Sequence, residues 1–112
     1  MDFHNFSCSK CGLSYKKLDE MLRNHIGFQS LTNKKRLTKT TYYLNRIDDG
    51  KITFLRSSGK ETFPVSYSTF SFLHDAVCSK KIDNTPAELE NFKPTHCEVY
   101  ISSLFKHCQC GG

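Results

Sequence analysis

Thr41-Tyr42-Tyr43-Leu44-Asn45-Arg46-Ile47, Asp48-Asp49-Gly50, Lys51-Ile52-Thr53-Phe54-Leu55-Arg56 is the stretch that decides the fold class. Thr, Tyr, Ile and Phe favour a pleated strand, and Asp-Gly between two such runs is a strong short hairpin signal. The stretch therefore predicts two antiparallel strands. Alternation along the first puts Arg46 with Leu44 on one face and Tyr43 with Ile47 on the other. A second break, Ser57-Ser58-Gly59-Lys60, leads to a short third strand over 61–65, where Pro64 marks an edge strand or a strand end.

Outward from the hairpin the period changes to that of a helix. Leu18, Met21, Leu22 and Ile26 make one apolar stripe, with Ser14 as N-cap and Gly27 as the stop, predicting a helix over 15–26. Residues 29–39 read as a polar, basic loop. Downstream, Ser66 or Ser68 caps a helix over 67–79 with Phe70, Leu73 and Val77 on its apolar face. Thr85-Pro86-Ala87-Glu88 is a capping box with Pro at the first helical position, opening a short helix that ends near Phe92. Thr95-His96-Cys97-Glu98 is another capping box, before a helix whose stripe is Cys97, Ile101, Leu104, Phe105 and Cys108. Strands in one block with helices around them make an α+β fold: a three-stranded antiparallel sheet with about four helices. At 112 residues the chain predicts one domain, with no repeat, low-complexity tract or linker.

Formal net charge is +5, and its distribution is uneven. Lys34, Lys35, Arg36, Lys39, Arg46, Lys51, Arg56 and Lys60 face only Asp48 and Asp49, a surplus of six in 27 residues. That pattern predicts a phosphate-bearing partner, with a solvated, solubilising hairpin as the bland reading. The N-terminus has neither a basic n-region nor an apolar h-region, and no apolar run approaches the ~20 residues that span a bilayer. The expected setting is a reducing one, cytoplasmic, or nuclear in a eukaryote. Six cysteines there indicate metal ligands or free thiols, whereas in a secreted chain the even count would suggest three bridges.

Cys8-Ser9-Lys10-Cys11-Gly12 has the spacing at which a tight turn aims two sulfurs at one ion. It resembles one half of a zinc ribbon or treble clef, implying a single structural zinc. The expected second pair is Cys108-Gln109-Cys110 at the other terminus, also followed by Gly but with a one-residue spacing. His107 in place of Cys108, or His25 from the first helix, are the alternates. The zinc knuckle would then join 6–13 to 107–112 and staple the two termini, with the basic hairpin at 34–65 and the helical part at 66–107. Cys97 and Cys108, eleven residues apart on one helix and roughly 16 Å apart, cannot share an ion. Cys78 and Cys97 are expected to be small buried hydrophobes.

Ile52-Thr53-Phe54-Leu55-Arg56-Ser57-Ser58-Gly59-Lys60, followed by a helix and then by Cys97-Glu98-Val99-Tyr100-Ile101-Ser102-Ser103-Leu104-Phe105, resembles the winged-helix-like DNA-binding modules of restriction- and phage-associated proteins. The resemblance implies nucleic-acid contact by Arg56 and Lys60. Tyr42, Tyr43, Ser57 and Ser58 could add contacts. Nothing assembles a catalytic set. The 41–60 hairpin has no His, His74 and Asp75 diverge on adjacent helix positions, and Ser58-Gly59-Lys60 lacks the upstream Gly of a phosphate loop. His74 and Cys78 at i, i+4 read as a structural helix face rather than a nucleophile pair. The expectation is a zinc-stabilised module, not an enzyme, that binds nucleic acid, double-stranded DNA first. The alternative is a small protein-interaction adaptor or inhibitor, such as a phage protein that blocks a host enzyme.

Overall fold

A computed structural model describes residues 3–56 and 58–111; the suggested contact at Ser57 and the terminal Gly112 of the expected knuckle lie outside them. Four strands, β1 (Phe28–Leu31), β2 (Leu37–Asp48), β3 (Lys51–Leu55) and β4 (Val65–Ser66), form one antiparallel sheet in the order β1-β2-β3-β4. Four helices surround it: α1 (Tyr15–Arg23), α2 (Tyr67–Cys78), α3 (Pro86–Phe92) and α4 (Glu98–His107). The fold is α+β, as the pattern predicts. The hairpin turn forms where expected, with Asp49 and Gly50 both at positive φ (51° and 69°), the geometry of a tight type I′ turn.

The sheet differs from expectation in three places. β1 falls in a segment read as loop, and it makes the sheet four-stranded. Its edge is closed by α4: Ser103 Oγ accepts a hydrogen bond from the Leu31 N–H at 2.8 Å. The third strand is shorter and later than 61–65, with only a bridge between Leu55 and Glu61 before β4 begins. In β2 the register shifts between Leu44 and Arg46, leaving Asn45 as a bulge. The bulge flips the alternation, so Tyr42, Leu44 and Ile47 pack against the core while Arg46 is exposed. Arg46 and Leu44 do not share a face. β2 has 12 residues, about 36 Å if straight. The molecule extends 31 × 29 × 22 Å along its principal axes, and the strand curls with its sheet.

Local chemistry sets the helix boundaries. Ser14, Ser66 and Thr85 accept the N–H groups of Lys17, Thr69 and Glu88 at the starts of α1, α2 and α3. α1, α2 and α4 all close the same way. His25, Lys80 and Gln109 follow the caps at φ 51°, 62° and 58°. The next N–H in each case bonds back five residues: Ile26 to Met21, Lys81 to Ala76, and Cys110 to Phe105, each at 2.9 Å. These are Schellman closures without the usual glycine. Gly27 is therefore not the stop of α1. It sits where the chain crosses β2, and a Cβ there would lie 2.5 Å from Thr41 Cγ2 and 2.9 Å from Tyr43 Cε2. Phe28, Leu44, Ile52 and Phe54 from the sheet meet Phe70, Leu73, Leu89, Ile101, Leu104 and Phe105 from the helices in one core.

Candidate metal centre

The N-terminal turn folds back on itself: Cys8 N–H donates to Leu13 O (2.8 Å) and Gly12 N–H to Cys8 O (2.9 Å). Gly12 takes φ 78°, which lets the loop close directly behind Cys11. Phe3 and Phe6 pin this turn to α2 through edge-on contacts with Phe70, 5.2 and 5.6 Å between ring centres. The face of α2 that meets the turn carries His74 and Cys78, one helical turn apart.

There the donor atoms of Cys8, Cys11, His74 and Cys78 all lie within 4.8 Å of one another. Cys8 Sγ is 3.6 Å from Cys78 Sγ, and Cys11 Sγ is 3.2 Å from His74 Nε2. This Cys3His group is close enough to hold one metal ion. His74 is fully buried (0% exposed) and wedged edge-on between Phe6 and Phe105. Its Nδ1 has no hydrogen-bond partner among the described residues, and the exposed Asp75 carboxylate stands 3.6 Å away, too long for a direct bond. A proton on Nδ1 would leave the Nε2 lone pair facing Cys11, the tautomer a ligand needs.

Electrostatics divides the thiols. Burial opposes ionisation of Cys8. The backbone of Cys11 and Lys10, with the Cys78 and Cys11 thiols, outweighs it and holds Cys8 below its usual range. Burial, reinforced by the Cys8 and Cys11 thiols, pushes Cys78 up to about 11 without a cation present. Burial keeps His74 below the usual histidine range despite Asp75, so it is neutral and able to ligate.

Of the ligands expected from sequence, Cys8 and Cys11 are in this group, and Cys108, Cys110, His25 and His107 are not. Cys108 caps α4 and is half-buried, its thiol pushed up to about 11 by burial. Cys110 is buried beside Cys11, 3.6 Å between sulfurs, but outside the four. His25 stacks on Tyr43 at 3.9 Å, and His107 is an exposed residue beside Phe28. Cys97 is a buried thiol, as expected, whereas Cys78 is not a mere hydrophobe: it completes the group. The missed signal was the His-x3-Cys spacing on one helix face, which suits a metal as well as it suits a nucleophile pair.

The basic residues are spread rather than gathered. Lys34, Lys35 and Arg36 form the exposed β1–β2 turn, and Lys39 follows it. Lys51 is at the other end of the curled sheet, while Arg56 and Lys60 flank the β3–β4 connection, closed by the Arg56 N–H to Lys60 O bond (2.8 Å). Arg46 is engaged: its Nε and Nη2 grip both oxygens of Glu61 at 3.0 and 2.8 Å. At the turn end, Lys35, Lys80 and Lys106 line a cleft of about 640 Å³ with Asp83, Asn84 and Cys110. Lys35 pairs with Asp83 at 3.6 Å. Among the described residues no helix is long and apolar enough to cross a membrane. No family model matches the chain, nor does any curated protein or solved structure.

Proposed function

We propose that the protein is a zinc-stabilised nucleic-acid-binding module, without catalytic activity of its own, whose metal fastens the N-terminal turn to α2. The convergence of Cys8, Cys11, His74 and Cys78 carries this reading. A closed Cys3His set is a structural zinc arrangement, with no position left for substrate. Tetrahedral Zn–S bonds of about 2.3 Å put sulfurs roughly 3.8 Å apart, close to the spacing between Cys8 and Cys78.

Nucleic-acid binding is supported by the charge surplus and by the three of its cations that share one exposed turn. Lys34, Lys35 and Arg36 are exposed on one turn, and Lys80 and Lys106 line the cleft together with Lys35. Those two lysines also complement the C-terminal ends of α2 and α4, so part of their charge is spent locally. The turn is thus the pole of the interface, and Arg46, held by Glu61, is peripheral. Double-stranded DNA is the first form to test. Binding of a short duplex should weaken steeply with salt. The triple reversal Lys34→Glu, Lys35→Glu, Arg36→Glu should abolish it, and Arg46→Ala should leave it within about twofold. Binding that survives the triple reversal would remove this interface.

One observation favours the rival reading, a protein-interaction adaptor or inhibitor. Phe63 and Phe72 are 64% and 50% exposed, and Phe72 stacks on Phe92 at 5.0 Å instead of entering the core. A stoichiometric protein complex, insensitive to salt and lost with Phe72→Ala, would favour it.

A further inference from the structure

Five sulfur or nitrogen donors gather at this centre, one more than a tetrahedral ion uses. The extra one is Cys110, 5% exposed, with its sulfur 3.6 Å from that of Cys11. Its position is built, not incidental. The Schellman closure of α4 turns the chain at Gln109, with the Gln109 N–H on Lys106 O and the Cys110 N–H on Phe105 O. Gly111 then lies flat on α2. At φ 75° its Cα approaches so closely that a Cβ would sit 2.6 Å from the Val77 carbonyl oxygen. The tail is thereby docked one residue before the ligand Cys78, and the Cys110 sulfur is held 3.6 Å from that of Cys11.

We propose that Cys11 and Cys110 form a peroxide-sensitive redox pair whose oxidation to a disulfide withdraws Cys11 from the metal and releases the ion. This rests on the zinc reading above. Cys11 is only half-buried, so an oxidant can reach it, whereas Cys110 is shielded and can act only on its neighbour. The Cys11 thiolate attacks hydrogen peroxide, the O–O bond breaks, and hydroxide leaves a sulfenic acid on Cys11. The Cys110 sulfur attacks that sulfur. The S–S bond forms, the S–O bond breaks, and the leaving oxygen departs as water with the Cys110 proton. Two electrons pass from the two sulfurs to one peroxide. Cys8 and Cys78 are equally close, but both are ligands; in the loaded protein Cys110 is the non-ligand thiol held against a ligand sulfur.

The experiment treats zinc-loaded full-length protein with hydrogen peroxide, follows released zinc with a chromophoric chelator, and maps disulfides by peptide mass. Wild type should lose its zinc as a Cys11–Cys110 cross-link accumulates. Cys110→Ser should still purify with one zinc per chain and release it at least about tenfold more slowly, with Cys108→Ser as the control that behaves as wild type. Equal release from Cys110→Ser, or a map showing Cys8–Cys78 instead, would overturn the pair while leaving the zinc site intact. Wild type that carries no zinc would instead remove the metal reading, and this proposal with it.

Discussion

Cys78→Ser and Cys108→Ser change the same atom, sulfur to oxygen, in two half-buried side chains. The structure assigns them opposite consequences. Cys78 is one of four donors within 4.8 Å of one another, and Cys108 lies outside that group. Structural zinc in small domains is bound with about 10–16 kcal/mol of apparent free energy at neutral pH. Shared over four ligands, each supplies about 2.5–4 kcal/mol, or two to three decades in Kd. A serine hydroxyl is a poor replacement because it does not ionise near neutral pH. Competition against a chromophoric zinc chelator should therefore show Cys78→Ser weakened by about two to three decades. Cys108→Ser should stay within about threefold of wild type. Thermal unfolding with and without excess zinc gives a second reading, since an ion that binds only the folded state stabilises it by an amount that grows with the logarithm of its affinity. The refuting result is the reverse order, with Cys108→Ser losing the metal and Cys78→Ser keeping it. That would restore the clasp of N-terminal turn and C-terminal tail that the sequence alone suggests.

Three further outcomes concern the scaffold. Ser103→Ala should destabilise by about 1–3 kcal/mol in chemical unfolding, because it leaves the Leu31 N–H of edge strand β1 buried without its acceptor. Lys80→Gly should stabilise by about 0.5–1 kcal/mol, since the position closing α2 sits at φ 62°, where a Cβ is strained and glycine is not. Glu98 accepts bonds from both the hydroxyl and the N–H of Thr95; burial opposes its ionisation, but these bonds win and hold it below the usual carboxylate range. Its folded pKa is thus lower than its unfolded one. The stability it adds is present above the ordinary carboxylate pKa and is lost as pH falls through the folded value. Glu98→Gln should cost about 1 kcal/mol at pH 7, and the gap to wild type should close as pH drops below about 4.

What sequence reasoning recovered was what neighbours along the chain determine. The Asp49-Gly50 turn, the Ser14, Ser66 and Thr85 caps, and the Cys8–Cys11 pair each depend on a few adjacent residues. Strand β1 was illegible because Phe28-Gln29-Ser30-Leu31 is four residues long, and what makes it a strand is non-local: pairing to β2 and a hydroxyl from Ser103, 72 residues away. The bulge at Asn45 leaves no local mark, yet it decides which way Arg46 points. Gly27 followed a periodic helix, so it read as a stop. The actual demand on it is the proximity of Thr41 and Tyr43, and the closure of α1 falls instead to His25. The other half of the candidate metal site was visible as His74 and Cys78 at helical spacing. Only the docking of the N-terminal turn through Phe3 and Phe6 shows that this face meets two more thiols.

That docking also explains why a metal would matter to so small a domain. The sheet and α4 share a continuous apolar core, and β1 and β3 are held by ladder bonds and by Ser103 and Thr62. The segment from Phe3 to Leu13 has no such ladder. It rests on three buried apolar side chains, Phe3, Phe6 and Leu13, and on a few turn bonds. Burying those side chains stabilises by a few kcal/mol in total, and ordering eleven residues costs more than that. A metal held by Cys8, Cys11, His74 and Cys78 would supply the difference where the segment meets a helix already fixed by the core. Metal removal should therefore loosen the N-terminal segment before the sheet. Amide exchange on the chelated protein would show this as fast exchange at Cys8 and Gly12 while Phe54 and Thr62 stay protected. Uniform exchange across both regions would mean that the ion holds the whole core rather than one flap.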